Sequence, residues 1–129
     1  MSPWRINGVL RADGLLILPV WLNERSFNFL FDPGAAYSTI KPGIATLLSL
    51  PVVGKQFMLQ GGYYLTHCPV YQIDLFRIGS IRRSSVRMVE LSLAPQLNFN
   101  GLLGMDFLKH YRFTVEPDTA TLILRPLRK

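Results

Sequence analysis

Cysteine is almost absent from this sequence: Cys68 is the only one in 129 residues. An intrachain disulfide and a cysteine-rich zinc site are therefore both excluded, as expected for a chain kept in a reducing compartment. The expected state of Cys68 is a buried, inert thiol. Charge is also sparse, at 17% of residues, and there is no polar low-complexity tract, which argues against disorder. Long apolar runs are missing too. The longest spans residues 15–22 and contains Pro19, too short to cross a bilayer as a helix. Arg5, Asn7, Arg11 and Asp13 interrupt the region where a signal peptide would need an apolar stretch. These absences predict a soluble, cytoplasmic chain with no membrane segment. The two histidines, His67 and His110, stand far apart with no ligand-spaced Cys or acidic cluster, so no metal site is expected. Gly61 and Gly62 are not followed by the Lys and Ser or Thr that a phosphate loop needs, and no cofactor is expected. Internal repeats are not evident.

The chain has enough apolar residues, 49% with 12% aromatic, to supply one hydrophobic core, and its length suits a single domain over residues 1–129. Fourteen Lys and Arg against eight Asp and Glu give a net charge of +6. The basic residues are spread out, apart from Arg82, Arg83 and Arg87 and the terminal Arg125, Arg128 and Lys129. Neither group is interleaved with aromatic residues as a base-stacking platform requires, so both read as solvated strand edges or a solubilising tail. No nucleic-acid partner is expected.

Strand signals dominate the chain. Residues 15–22 and 25–31 read as a hairpin turning at Asn23 and Glu24; in its second strand Phe27, Phe29 and Phe31 alternate with Ser26, Asn28 and Leu30. A short strand over 37–40 and a brief helix over 42–50 follow, stopped by Pro51. Residues 57–60 and 63–70 flank Gly61 and Gly62, a pair favoured by primed hairpin turns. Further strands are predicted over 71–78, with a turn at Gly79 and Ser80, and over 86–91, before a looser loop over 95–100. A strand over 101–103, one or two helical turns over 105–110, and a hairpin of 112–116 with 121–125 around Pro117 and Asp118 complete the pattern. Many short strands without βα alternation predict an all-β antiparallel barrel or sandwich with one or two short helices.

Two segments carry chemistry. In FLFDPGAAYSTI, residues 29–40, an apolar strand runs into Asp32, Pro33, Gly34 and Ala35, which places a carboxylate at a strand end. Asp, Pro and Gly are also ordinary turn residues, so this motif alone is weak evidence and reads first as a type I or II turn. In FNGLLGMDFLKHYR, residues 99–112, Leu102, Leu103 and Gly104 precede a short helix. With the glycine hairpin between them, these segments make the chain resemble the retropepsin-like aspartic proteases from about residue 15 to 124. That family's half-site carries Asp, Thr or Ser, Gly, Ala after an apolar strand, and later two apolar residues and Gly leading into a helix. Asp32, Gly34 and Ala35 match the first motif; Leu102, Leu103 and Gly104 match the second. Gly61 and Gly62 stand where the family has its substrate-covering flap.

The resemblance implies a small closed or partly closed barrel, a homodimer and an aspartic endopeptidase acting on a peptide or protein substrate. Two facing carboxylates share one proton, so one acts as base toward water and the other as acid toward the scissile carbonyl. One chain supplies one such residue, so the dyad is Asp32 with its two-fold mate in a homodimer. Leu102 and Leu103 are expected to pack beneath the Asp32 loop. Pro33 departs from the family pattern, because it lacks the hydroxyl and the N–H that Thr or Ser offers across the dimer. It raises the alternative of a weak or inactive dimerisation or peptide-binding module. Asp106 reads as a helix-capping or dipole residue, and Asp74 and Asp118 as strand-edge and turn residues.

Overall fold

The computed structural model describes residues 2–60, 64–93 and 98–128. Within them the chain is all-β with two short helices. In order, the elements are β1 (Trp4–Asn7), β2 (Val9–Leu10), β3 (Leu16–Leu22), β4 (Arg25–Phe31), β5 (Thr39–Ile40), α1 (Ile44–Leu48), β6 (Val52–Gln60), β7 (Tyr64–Ile78), β8 (Ile81–Glu90), β9 (Gly101–Leu103), α2 (Met105–Leu108), β10 (Tyr111–Glu116) and β11 (Thr121–Pro126). A 3-10 turn at Pro117–Thr119 joins the last two strands.

Alternation builds the first hairpin. In β3 Leu16, Leu18, Val20 and Leu22 are buried while the residues between them are half-exposed, the period-2 pattern of a strand with one face on a core. From β3 the pairing runs to β4, β9, β5, β8 and β7, and β7 returns to β3 through Trp21↔Arg77 and Leu22↔Phe76. The sheet therefore closes into a barrel. Phe29, Phe76, Leu18, Leu22, Ile40, Ile73, Ile78 and Leu103 fill its interior at 0–1% exposure. Each such side chain contributes roughly 1.5–3 kcal/mol relative to an exposed one. A separate antiparallel sheet, β1-β11-β10, joins the two ends of the described chain.

Several boundaries differ from those the sequence predicts. The strands expected over 63–70 and 71–78 are one strand, β7, whose start pairs with β6 and whose end pairs with β8 and β3. Pro69 sits just before the β8 ladder begins at Val70↔Val89, so on that side it breaks no pairing. Strand β8 begins at Ile81, five residues before the expected 86, and takes in Arg82 and Arg83. The helix expected over 42–50 shrinks to Ile44–Leu48, bounded by Gly43 at φ 97° and Ser49 at φ 53°. The strand expected over 37–40 is confined to Thr39–Ile40, because the preceding residues form the loop that follows Asp32. Strands β1 and β2 were not expected; Trp4 pairs with Leu124, a partner that local periodicity does not reveal. The Gly61–Gly62 turn and residues 95–97 of the expected loop lie outside the described residues. No helix of the described chain is long and apolar enough to cross a membrane.

Candidate active site

Asp32 is delivered by β4, the strand whose Phe29 is fully buried. Strand β9 lies between β4 and β5, parallel to the first and antiparallel to the second. This crossing puts the end of β4 beside the end of β9. The Asp32 N–H donates to the Leu103 carbonyl at 3.0 Å, extending the β4–β9 ladder by one bond, and the Asp32 carbonyl accepts the Ala35 N–H at 3.0 Å. The Asp32 main chain is thus fixed on both sides. Its Oδ1 accepts the Gly34 N–H at 3.1 Å. A Cβ on Gly34 would sit 3.3 Å from that same oxygen, so a larger residue there crowds the carboxylate. Pro33 and Gly34 are exposed and Ala35 is half-buried. Gly34 holds the carboxylate by itself within the chain, so its position does not depend on a donor from residue 33.

Beneath the loop lies a second set of bonds that joins residues 35–38 to the start of α2. The Ser38 hydroxyl donates to Asp106 Oδ1 at 2.7 Å and accepts the Gly104 N–H at 3.0 Å, and the Ser38 N–H donates to Asp106 Oδ2 at 2.9 Å. Asp106 Oδ1 also accepts the Phe107 N–H at 2.9 Å. Backbone bonds from Met105 N–H to Ala35 O and from Asp106 N–H to Ala36 O run alongside. The sequence reading of Asp106 as a helix-capping or dipole residue is corrected in its first half by this arrangement, while Asp106 does stand in the first turn of α2. Gly104 is the N-cap of α2 and no side chain caps it; the Asp106 carboxylate is taken up mainly by Ser38. Ser38 is 2% exposed and was not singled out in the sequence, where a lone serine carries no signal.

The three residues of the second motif divide their work. Leu103 is fully buried and supplies the carbonyl that anchors Asp32, while Leu102 is half-buried and pairs with Leu30 and Thr39. Gly104 has no room for a side chain, since a Cβ would stand 2.8 Å from the Ala35 and Tyr37 carbonyl oxygens. Gly101, which the sequence reading passed over, is as constrained: a Cβ would collide with the Thr39 carbonyl and lie 2.7 Å from the Phe29 ring. Gly61 and Gly62 lie outside the described residues, although β6 and β7 pair up to Gln60↔Tyr64 on either side of them. A cleft of about 300 Å³ separates Tyr37 of the Asp32 loop from Lys55 and Gln56 on the stem of that hairpin. His67 stacks against Phe57, with ring centroids 3.9 Å apart. Among the described residues no group of three His, Cys, Asp or Glu side chains comes together.

A family model described as aspartyl protease matches residues 18–107, from the middle of β3 through the Asp32 loop to α2. Among solved structures, a retropepsin-like aspartic protease from Rickettsia conorii is similar over 95% of this chain and 89% of its own, with a TM-score of 0.67 and 19% identity. The retroviral protease-like domain of Ddi1 from Leishmania major is similar over 88% of this chain and 94% of its own, with a TM-score of 0.55 and 13% identity. At those identities the two structures establish the fold, a retropepsin-like barrel. No curated protein sequence matches the chain.

Proposed function

The chain belongs to the aspartyl protease family, and from that premise we propose that it is a homodimeric aspartic endopeptidase with Asp32 and its two-fold mate as the catalytic dyad. The carrying observation is a carboxylate fixed at the end of a buried strand, with Oδ1 held by Gly34 and a backbone clamp on either side. One carboxylate takes a proton from water as the oxygen attacks the scissile carbonyl; the other, protonated, donates to the carbonyl oxygen. The β6–β7 hairpin acts as the flap, and the substrate lies extended between flap and dyad.

Among the described residues β1 and β10 are the outer strands of the β1-β11-β10 sheet, and β10 is the one beside Asp32. Phe113 of β10 meets Phe31, the residue before Asp32, edge to face at 5.7 Å between centroids. Two copies joined along β10 would bring their Asp32 loops face to face in a self-complementary interface. The decisive experiment is peptide cleavage over a range of enzyme concentrations, paired with sedimentation equilibrium. Specific activity is expected to climb with concentration below the dimer Kd and level off above it. Activity per chain that stays constant down to concentrations where the protein is monomeric would refute the shared dyad.

Pro33 favours a second reading, a dimerisation or peptide-binding module without turnover. It is exposed, and it offers neither a hydroxyl nor an N–H to the partner. Restoring both donors with Pro33→Thr is expected to add one hydrogen bond per protomer, about 1–3 kcal/mol for the symmetric pair. That corresponds to a dimer Kd tighter by roughly 5- to 150-fold. Sedimentation equilibrium reads this directly, and an unchanged Kd would show that residue 33 makes no bond across the interface.

A further inference from the structure

Beyond the dyad, a cavity of about 320 Å³ opens between β8, β9 and α2. Its volume is at the lower end of the range of small-molecule sites, ~300–1,000 Å³. Phe76, Met88 and Phe107 give it an apolar wall, while Arg83, Arg87 and His110 place nitrogen bases and guanidinium groups on it. In a regular strand Arg83 and Arg87 would face away from Ser84 and Val86, yet all four line this cavity. The irregularity is at Ser85, whose φ of 55° puts a non-glycine residue in the left-handed region within β8. A non-glycine residue held at such an angle persists only where its surroundings over-determine it, commonly at functional sites.

The charges of this cavity are unbalanced. Arg87 pairs with Gln72 in the β7–β8 ladder, but its side chain has no hydrogen-bond or ion-pair partner among the described residues, and the two ion pairs of the described chain, Arg5 with Glu116 and Arg11 with Asp13, lie elsewhere. Arg83 donates to the Tyr111 hydroxyl and lies over that ring, which leaves most of its five donors unused. Asp106 is the only carboxylate on the wall, and its oxygens already accept from Ser38 and Phe107. We infer that this cavity binds a small organic acid, with its apolar body against Phe76, Met88 and Phe107 and its carboxylate received by Arg83 and Arg87. A planar guanidinium fork suits a carboxylate, and a mixed apolar and cationic lining matches an occupant with both an anionic group and an apolar body better than an uncharged hydrocarbon.

The test is an amide-resolved NMR titration of the full chain with 3-phenylpropionate and, separately, with its uncharged twin 3-phenylpropanamide. The acid is expected to bind saturably, roughly tenfold or more tighter than the amide, with shifts centred on Arg83, Met88 and Phe107. Arg87 is exposed on β8, so Arg87→Gln is expected to preserve the spectrum of the free protein. It should weaken the acid roughly fivefold or more while leaving the amide unchanged. Equal affinities for acid and amide, unaltered acid affinity in Arg87→Gln, or no saturation at millimolar acid would each overturn the assignment. None of these readouts requires turnover, so they stand apart from the outcome of the protease experiments.

Discussion

Replacing Asp32 with Asn is expected to lower peptide cleavage by roughly 10²–10⁴-fold, the span that general acid–base groups contribute. The substitution isolates the chemistry from the scaffold. Asn has the same shape, and its Oδ1 can still accept the Gly34 N–H now held at 3.1 Å. The backbone bonds to Leu103 and Ala35 do not involve the side chain at all. Dimerisation and thermal stability are therefore expected to remain close to those of the parent chain. On the proposed mechanism, what disappears is the pair of carboxylates that share one proton, and with it both the base that activates water and the acid that protonates the carbonyl. In the parent chain, cleavage should be fastest on the acidic side of neutrality and indifferent to metal chelators. Peptide cleavage followed by mass spectrometry, with sedimentation as the control for assembly, separates the outcomes. Undiminished cleavage by a folded Asp32→Asn dimer would move the chemistry off this residue. Absence of cleavage in both proteins, with a stable parent dimer, would favour the binding module suggested by Pro33.

The parts of this site that could be read from the sequence are those whose cause is local. The apolar run of β3 and the alternation in β4 announced a hairpin, the apolar run into Asp32 announced a residue at a strand end, and Leu102, Leu103 and Gly104 announced a buried strand meeting a helix. The parts that could not be read depend on partners distant in the chain. Strand β1 has a single buried residue and owes its existence to β11. Strand β7 looked like two strands because its changes of partner, from β6 to β8, leave no mark on its own periodicity. Gly101 read only as the first residue of a buried strand, and its need for a bare backbone comes from Phe29 and Thr39 packed against it. Arg83 and Arg87 read as solvated charges, as most surface arginines are, and neither their place on a cavity wall nor the positive φ of Ser85 between them has a sequence signature. Ser38 and Asp106 are the clearest case, since each has an ordinary local explanation and their meaning lies in the bond between them.

That bond supports the second large prediction. Asp106→Ala removes the acceptor of three hydrogen bonds, two from Ser38 and one from Phe107. Ser38 is buried, so its N–H and hydroxyl cannot simply turn to solvent. Each stranded buried donor costs about 1–3 kcal/mol. Asp106 itself is half-buried, which lets water recover part of the loss, and a net destabilisation of about 2–4 kcal/mol is expected. Denaturant unfolding should show a lower midpoint with little change in slope. Asp106→Asn keeps one oxygen but turns the other acceptor into a donor, so it should cost about half as much. Activity should follow a different order from stability, because residues 35–38 connect the stapled segment to the Asp32 loop. Loss of the staple frees the loop that aims the carboxylate, so kcat should fall further than the folded fraction alone explains, with KM less affected. A kcat that tracks only the amount of folded dimer would mean that the Leu103 and Ala35 backbone bonds position Asp32 unaided, and that Ser38 and Asp106 serve the barrel alone.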